Sequence, residues 1–434
     1  MNLSKKNKIV YVPMGADKIN TGHLNIINNA KKKGKVIIGL FSDKAIAEYK
    51  RLPLINYKSR LGIIENLKGI HKIIKQDTWD YTYNLKKIKP DFVAHGDDWK
   101  KGIQKKQRQK VIKTLKTWGG KLLEIKYTNN PKLSRVHKKF DNIYFNNVAR
   151  ISRLNRLFEA KSITRILEAH SPLTGQIIEN LSYIKKNKFF EFDGIWSSSL
   201  TDSAVRGKPD NQSVDYSTRL NGLNEILDVT SKPVVFDGDN GGRVEHIKYL
   251  VRSLERLGVS ALVIEDKTGL KKNSLFKNQA GVKQDSIKNF SNKIRIAKNA
   301  MSSKDMLLIA RIESFILGKS AKDAIERANR YSQAGADAIL IHSKDNNPKK
   351  IIEFAKKFKK SKYFKPLVAV PSTYSKTYEN YLEKHGFKMV IYANQMLRAS
   401  YPSMVEVAKM ILKNKRSFEA EKKIIPIKEI INLT

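Results

Sequence analysis

The stretch DGDNGG at residues 237–242 places two carboxylates, Asp237 and Asp239, directly after the apolar run 233–236. Glu265 follows a second apolar run in the same way. Carboxylate oxygens are the ligands that hard divalent cations prefer, and the chain has no cysteine that could supply thiolates. The three residues therefore predict a site for Mg²⁺ or Mn²⁺. The structural alternative is an acidic turn without a metal.

Arg311 and His342 also lie where apolar runs end. A guanidinium in such a place needs a carboxylate or a phosphate as its partner. Arg311 therefore predicts a phosphate contact, with a buried ion pair to Glu313 or Asp239 as the alternative. His342 either donates to a substrate oxygen or is a structural histidine at the edge of a core.

The segment EDKTGLKKNSL at 265–275 combines a glycine, several lysines and an Asn-Ser pair. This composition predicts a loop that closes over a phosphorylated ligand. Closure would exclude water, which matters when the transferred group can be hydrolysed. The alternative is a solvated lysine-rich loop.

The elements that must position these residues are strands alternating with amphipathic helices. Eight units in this half of the chain predict a (β/α)₈ barrel at 161–434, in which the carboxyl ends of the strands share one mouth. The candidate strands are 163–170, 190–198, 233–239, 260–266, 306–313, 337–343, 366–372 and 388–394.

The N-terminal half shows a shorter alternation of the same kind. Strand patterns at 8–15, 35–41, 71–75 and 90–95 are separated by helical patterns such as 23–33 and 58–67. They predict a doubly wound, Rossmann-like parallel sheet at 1–135. A basic helical connector is expected at 136–160.

The formal net charge of the chain is +43. Nucleic-acid binding is one explanation, but the basic residues are spread along the whole chain, which favours a compositional bias instead. Nucleic acid is therefore not an expected partner, and small phosphorylated substrates are. No apolar run is long enough to span a membrane, and no cysteine or secretory signal is present, so a cytoplasmic location is expected.

The barrel half resembles the isocitrate lyase/phosphoenolpyruvate mutase superfamily, and within it the phosphoenolpyruvate mutases. The resemblance runs from about Arg153 to the C-terminus. Its motifs are EAHSPLTG, GIWSSSL, DGDNGG, EDKTGLKKNS, ARIESFI, GADAILIHSK and NQMLRAS.

The resemblance implies interconversion of phosphoenolpyruvate and 3-phosphonopyruvate, with the equilibrium on the phosphoenolpyruvate side. It implies that Asp237 ligates Mg²⁺ directly and that Asp239 and Glu265 act through water. The residues implied to contact substrate are Trp196, Ser198, Ser199 and Leu200, then Arg311 and His342, and Lys271, Asn273 and Ser274 of the loop. Ser199 replaces a glycine that is usual in the family.

Asp210, in GKPDNQS, aligns with the aspartate that acts beside the migrating phosphoryl group. It either attacks as a nucleophile or orients a loose, metaphosphate-like group. Phosphonopyruvate hydrolases resemble this barrel but lack the asparagine of the Asn-Ser pair, so Asn273 favours the mutase. The superfamily's carbon–carbon lyases need a cysteine that this chain lacks.

Residues 9–34, 42–53 and 95–99 resemble the cytidylyltransferase-like nucleotidyltransferases, which would use CTP. The family motif H-x-G-H reads Asn20-Thr21-Gly22-His23 here, and the turn after Tyr127-Thr128 also departs from the family. The domain is thus either a cytidylyltransferase acting on a phosphonate or a degenerate docking module. The residues implied to bind nucleotide are Gly15, Asn20, His23, Lys31, His95 and Asp97.

The resemblance also implies a homotetramer in which barrels exchange helices. Two alternatives to the mutase stay open at this point. One is a phosphonopyruvate hydrolase. The other, from a different class, is a basic nucleic-acid-binding protein with a vestigial barrel.

Overall fold

The computed structural model describes residues 8–126, 147–186, 188–269, 271–276 and 278–433. The chain forms two compact units, one of residues 1–164 with 181–193 and one of 165–180 with 194–434. The departing turn at Tyr127–Ser134 and the first part of the expected connector lie outside the described residues.

The N-terminal unit is built on a parallel sheet of five strands in the order β3-β2-β1-β4-β5. This is the doubly wound arrangement that the alternating pattern predicts, and sequence analysis missed only its short last strand. The strands are β1 Ile9–Met14, β2 Lys35–Phe41, β3 Ile70–Gln76, β4 Phe92–Gly96 and β5 Lys121–Ile125. The helices are α1 Thr21–Lys31, α2 Asp43–Ala47, α3 Tyr57–Glu65, α4 Thr82–Ile88 and α5 Lys105–Lys116.

Helix α6, Asn147–Ala160, occupies the second part of the expected connector and packs within the N-terminal unit. Arg156 pairs with Asp43 at 2.7 Å, and Arg153 donates to the carbonyl of Leu52 at 3.0 Å. This helix is thus held by ion pairs and hydrogen bonds instead of forming a free linker. The same unit includes an antiparallel hairpin, β7 Ser182–Lys185 with β8 Lys188–Glu191.

The second unit is a closed barrel of eight parallel strands, as the sequence predicts. In order around the barrel they run β6, β9, β10, β11, β14, β15, β16, β17. Their bounds are β6 Thr164–Glu168, β9 Gly194–Ser197, β10 Val234–Asp237, β11 Ala261–Glu265, β14 Leu307–Ile312, β15 Ala338–Ile341, β16 Leu367–Ala369 and β17 Phe387–Tyr392. All eight lie within the predicted strand candidates except for Phe387, which precedes the last one.

The helices of the second unit follow or separate the barrel strands. They are α7 Pro172–Asn180, α8 Ser199–Ala204, α9 Tyr216–Leu227, α10 Ile247–Leu257, α11 Ile287–Ala300, α12 Ala321–Ala334, α13 Lys349–Phe358, α14 Glu379–Lys384, α15 Gln395–Asn414 and α16 Ile427–Ile431. A two-residue ladder, β12 Lys267–Thr268 with β13 Lys283–Gln284, closes the base of the predicted loop. Within the described ranges, no helix is both long and apolar enough to cross a membrane.

Candidate active site

The carboxyl ends of the barrel strands open onto one cavity with about 560 Å³ of empty volume, part of it open to solvent. Twelve of the thirteen barrel residues singled out by sequence line it, and the thirteenth, Asp239, contacts one of the twelve, Lys271. The lining also includes Ser372 and Asn394 at the ends of β16 and β17, which sequence reasoning missed. Serine and asparagine after a strand are ordinary turn residues, so they carry no separate signal.

Asp237 ends β10 and is buried. Its Oδ2 accepts a hydrogen bond from the Ser199 hydroxyl at 2.9 Å, so the serine that replaces the usual glycine contacts this carboxylate. Burial raises the pKa of Asp237, but the charges of Lys271, Arg311 and Arg219 outweigh it and lower the pKa overall. The carboxylate is therefore charged and ready to bind a cation.

Asp239 has a φ of +49°, a left-handed conformation that aspartate adopts more readily than most residues. Its carbonyl accepts the backbone N–H of Glu265 at 2.7 Å, which ties this turn to the end of β11. Its buried Oδ1 accepts no hydrogen bond but lies against the Lys271 ammonium. The two aspartates of DGDNGG thus differ in backbone conformation and in partners.

The three carboxylates fit a hard divalent cation by their donor chemistry, since all their donors are oxygens. Burial raises the pKa of the third of them, Glu265, to about 7, against the opposing charges of Arg311 and Lys267. Among the described residues, no three acidic or histidine side chains are close enough together to ligate one metal ion directly, so only an arrangement with water-mediated contacts fits. The Lys271 ammonium lies against Asp239 instead, so a bound cation would have to displace it.

Arg219 is a buried residue beside the active-site aspartates that sequence reasoning missed. It donates to the carbonyl of Asp237 at 2.6 Å and to the carboxylate of Asp202 at 3.0 Å. It lies on α9, away from any strand end. A search for polar residues at the ends of strands therefore could not find it. Its charge offsets part of the negative charge that the aspartates bring into the barrel.

Arg311 is the penultimate residue of β14 and pairs with Glu313, with Nε to Oε1 at 2.6 Å, which is the ion pair that the sequence offered as the alternative. Its Nη2 lies 2.9 Å from His342 Nδ1 and 3.3 Å from Glu265 Oε2. Burial and the charge of Arg311 lower the pKa of His342, so this histidine is neutral near pH 7. The two predicted phosphate-binding side chains are thus in direct contact.

The loop after β11 reaches over this mouth. Lys271 Nζ lies 2.6 Å from Asp210 Oδ1, and Asn273 Nδ2 donates to Asp210 Oδ2 at 2.7 Å. Burial lowers the pKa of Lys271, but Asp239, Asp237 and Asp210 outweigh it and raise the pKa overall. The side chains assigned to the loop therefore converge on the aspartate assigned to phosphoryl transfer.

Comparison with known proteins decides the family of the barrel. A family model described as Phosphoenolpyruvate phosphomutase matches residues 154–412. The chain belongs to the phosphoenolpyruvate phosphomutase family. A second model, described as Cytidylyltransferase-like, matches residues 16–140, so this phosphomutase-family enzyme carries a cytidylyltransferase-like domain.

Individual relatives of this phosphomutase-family chain bear different names. A phosphoenolpyruvate phosphomutase of Tetrahymena pyriformis is 32% identical over 67% of this chain and 93% of its own length. The crystal structure of a phosphoenolpyruvate phosphomutase from Streptomyces platensis subsp. rosaceus is 34% identical and has a TM-score of 0.61, covering 66% of this chain and 95% of that one. A phosphonopyruvate hydrolase solved in complex with oxalate and Mg²⁺ is 31% identical, with a TM-score of 0.58 over 65% of this chain and 94% of that one.

The N-terminal nucleotide-binding candidates are only partly brought together. Gly15 follows β1, Asn20 and His23 begin α1, and His95 and Asp97 lie at the end of β4. Because β1 and β4 are parallel neighbours, these five lie at one edge of the sheet, at its topological switch point. Lys31 does not join them, since it ends α1, about 15 Å along the helix from Asn20.

Asn20 and His23 are engaged with each other. The Asn20 side chain caps α1 by accepting the N–H groups of Gly22 and His23 at 3.0 and 3.2 Å. His23 Nδ1 in turn accepts the Asn20 N–H at 3.3 Å, which completes a capping box. The asparagine that replaces the first motif histidine therefore has a structural role at the helix start.

Proposed function

We propose that the barrel interconverts phosphoenolpyruvate and 3-phosphonopyruvate. In the forward direction the bond from phosphorus to the enol oxygen breaks and a bond from phosphorus to C3 forms, with no net gain or loss of atoms. One observation carries the proposal: Lys271 and Asn273 both bind Asp210 above a cavity that is also lined by Arg311, His342, Asp237 and Glu265.

Two side chains of the cavity are suited to hold the migrating group. Arg311 supplies planar donors matched to phosphoryl oxygens, and His342 contacts it at the same side of the cavity. Ser198 and Leu200 line the same cavity, and their donors would hold the rest of the substrate. Positioning and electrostatic stabilisation supply most of the catalysis in phosphoryl transfer, so these contacts account for the main requirements.

Asp210 has two possible roles in this proposal. As a nucleophile it would take the phosphoryl group and return it to carbon. As an orienting group it would hold a loose phosphoryl group in line. Trapping of a phospho-aspartate by acid quench separates the two, because only the first role produces a labelled protein.

Asp237, Asp239 and Glu265 would hold Mg²⁺, with Mn²⁺ as a substitute, and Asp237 would be the direct ligand. When bound, the ion would neutralise substrate oxygens and the enolate charge that develops when the phosphoryl group leaves. The oxalate and Mg²⁺ in the solved hydrolase relative support an oxygen-rich site for this class of barrel.

Phosphorus NMR of the full chain with Mg²⁺ and phosphonopyruvate tests the proposal. Phosphoenolpyruvate as the product supports the mutase. Release of free phosphate with pyruvate would instead make the chain a hydrolase, the activity named for one of its relatives. No turnover together with salt-sensitive RNA binding would favour a basic binding protein.

For the N-terminal domain we propose nucleotide binding at the shared edge of β1 and β4. The capping box engages Asn20 and the Nδ1 of His23, so a site for CTP there would rely on the Nε2 of His23 and on His95. Release of pyrophosphate from CTP and 2-aminoethylphosphonate would extend the proposal to cytidylyl transfer. CTP binding without release would mark a degenerate site, and no binding of CTP would contradict the proposal.

We also propose a homotetramer with exchanged helices and a cytoplasmic location. Helix α15 has 20 residues and none is buried, although Tyr401, Met404 and Leu412 are apolar and more than half exposed. A second copy covering this face would explain the exposure. Native mass spectrometry should give about four times the 49.6 kDa chain mass. A monomer would contradict the proposal.

A further inference from the structure

Lys267 is a buried lysine to which neither the motifs nor the proposed chemistry assigns a role. It follows Glu265-Asp266, and only 4% of its side chain is exposed. Its Nζ lies 3.3 Å from Glu265 Oε1 and 3.4 Å from Glu313 Oε2. Burying an ammonium costs several kcal/mol unless it is paired, and these two carboxylates provide the pairing.

The same ammonium reaches the loop. It donates to the carbonyl of Lys272 at 2.9 Å and to the hydroxyl of Ser274 at 2.7 Å. These are the residues on either side of Asn273, whose amide points to Asp210. Lys267 therefore fixes the backbone before Asn273 and the side chain after it.

Ser274 is held from the barrel side as well. Arg311 Nη2 lies 2.8 Å from its hydroxyl, and that hydroxyl donates to Glu313 Oε2 at 2.5 Å. Lys267, Glu313 and Arg311 thus form one network that ends on the loop. The base of the loop is closed separately by the ladder between β12 and β13, which begins at Lys267.

We propose that Lys267 is a positioning residue that holds the loop closed and aims Asn273 at Asp210. The inference rests on the proposed phosphoryl transfer, because Asn273 acts on Asp210 only in that reaction. Lysine suits the position because an ammonium carries three donors in a tetrahedral arrangement, so it can bind loop and carboxylates together. A role limited to neutralising Glu265 and Glu313 is the competing explanation.

The Lys267→Met variant keeps the length of the side chain and removes its charge. We expect kcat for phosphonopyruvate to fall about 100-fold, because Asn273 would no longer be held against Asp210. KM should stay within about threefold of the wild-type value, because the substrate contacts at the strand ends remain. The matched control is Lys283→Met, which removes an exposed lysine at the base of the same loop and should leave kcat unchanged.

Loop closure is measured by hydrogen exchange with oxalate and Mg²⁺ as the probes. In the wild type these probes should protect a peptide covering 268–282, and in Lys267→Met that protection should be lost while barrel strands stay protected. Ser274→Ala keeps every charge of the network and should show the same loss in a weaker form. Unchanged loop exchange in both variants would overturn the proposal in favour of neutralisation alone.

Rescue gives a third readout, since the chain contains no cysteine. Lys267→Cys treated with 2-bromoethylamine regains an ammonium at this position only, and both kcat and loop protection should return. Failure of rescue with a folded barrel would count against the inference. A wild type that protects its loop but does not interconvert the two substrates would defeat the proposed function and leave the loop result standing.

Discussion

The barrel mouth and the switch-point edge of the N-terminal sheet both collect motif residues, but the partners of those residues differ. In the barrel, Arg311, Lys271 and Asn273 contact charged groups on other strands or loops. At the N-terminal edge, Asn20 and His23 contact the backbone of their own helix start. The barrel side chains are therefore arranged around a shared cavity, whereas the two that cap a helix satisfy the fold.

The largest expected effect lies in the barrel. Asp210→Asn should lower turnover about 1,000-fold or more. When catalytic residues act as a unit, removal of one of them abolishes most of the rate enhancement. Circular dichroism and the melting temperature should stay close to wild type, since this residue lies at the mouth of the barrel. Turnover within tenfold of wild type would remove Asp210 from the catalytic set and weaken the contrast between the two regions.

A smaller effect is expected from Asn20→Ala at the N-terminal edge. Loss of the cap should destabilise the N-terminal unit by about 1 kcal/mol, the usual cost of removing an N-cap side chain. Tryptophan fluorescence can follow this unfolding, because Trp79, Trp99 and Trp118 all lie in that unit. Mutase turnover should not change. If the variant instead keeps full stability and loses CTP binding, the structural reading of Asn20 is wrong.

The smallest effect concerns Glu124 on β5. Hydrogen bonds from Arg108 lower the pKa of Glu124 to about 2, despite the opposing effect of burial. A depressed carboxyl pKa stabilises the folded state above its ordinary pKa, and that contribution is lost as the pH falls towards 2. Glu124→Gln should therefore cost only about 0.5 kcal/mol at pH 7, since solvent screens a pair near the surface.

The matching measurement is urea unfolding at pH 7 and at pH 3, followed by the same tryptophan signal. The difference between Glu124→Gln and the wild type should shrink at the lower pH. A difference that is independent of pH would assign the loss to packing instead of charge.

Much of the barrel could be predicted because its strands are short apolar runs that each end in polar residues. The position of Asp237, Glu265 and Arg311 at one mouth follows from the parallel order of the strands alone. Strand β9 was expected to begin near residue 190, but residues 188–191 belong to a hairpin strand, β8, and β9 begins at Gly194. Asp193 between them pairs with Lys161, a distant contact that no local pattern reveals.

The residues that sequence reasoning missed were also recognisable only from their contacts in the folded structure. Lys267 belongs to the EDKTGLKKNS motif, but the motif gives it no role, and its burial beside Glu265 and Glu313 becomes visible only in the structure. Arg219 contacts Asp237 from a helix, so a search for polar residues at strand ends does not identify it. The family resemblance placed Lys31 in the same nucleotide site as Asn20, but a helix of 11 residues separates the two in space.

The peptide hydrogen bond from the Glu265 N–H to the Asp239 carbonyl has a consequence for spectroscopy. It couples the strained turn after β10 to the end of β11, so the Glu265 amide resonance reports on a turn that is distant in sequence. If Mg²⁺ binds at Asp237, Asp239 and Glu265 as proposed, its titration should shift this single amide signal as the Asp239 backbone adjusts. One assigned peak would then give the affinity of the acidic cluster for the ion without any substrate present.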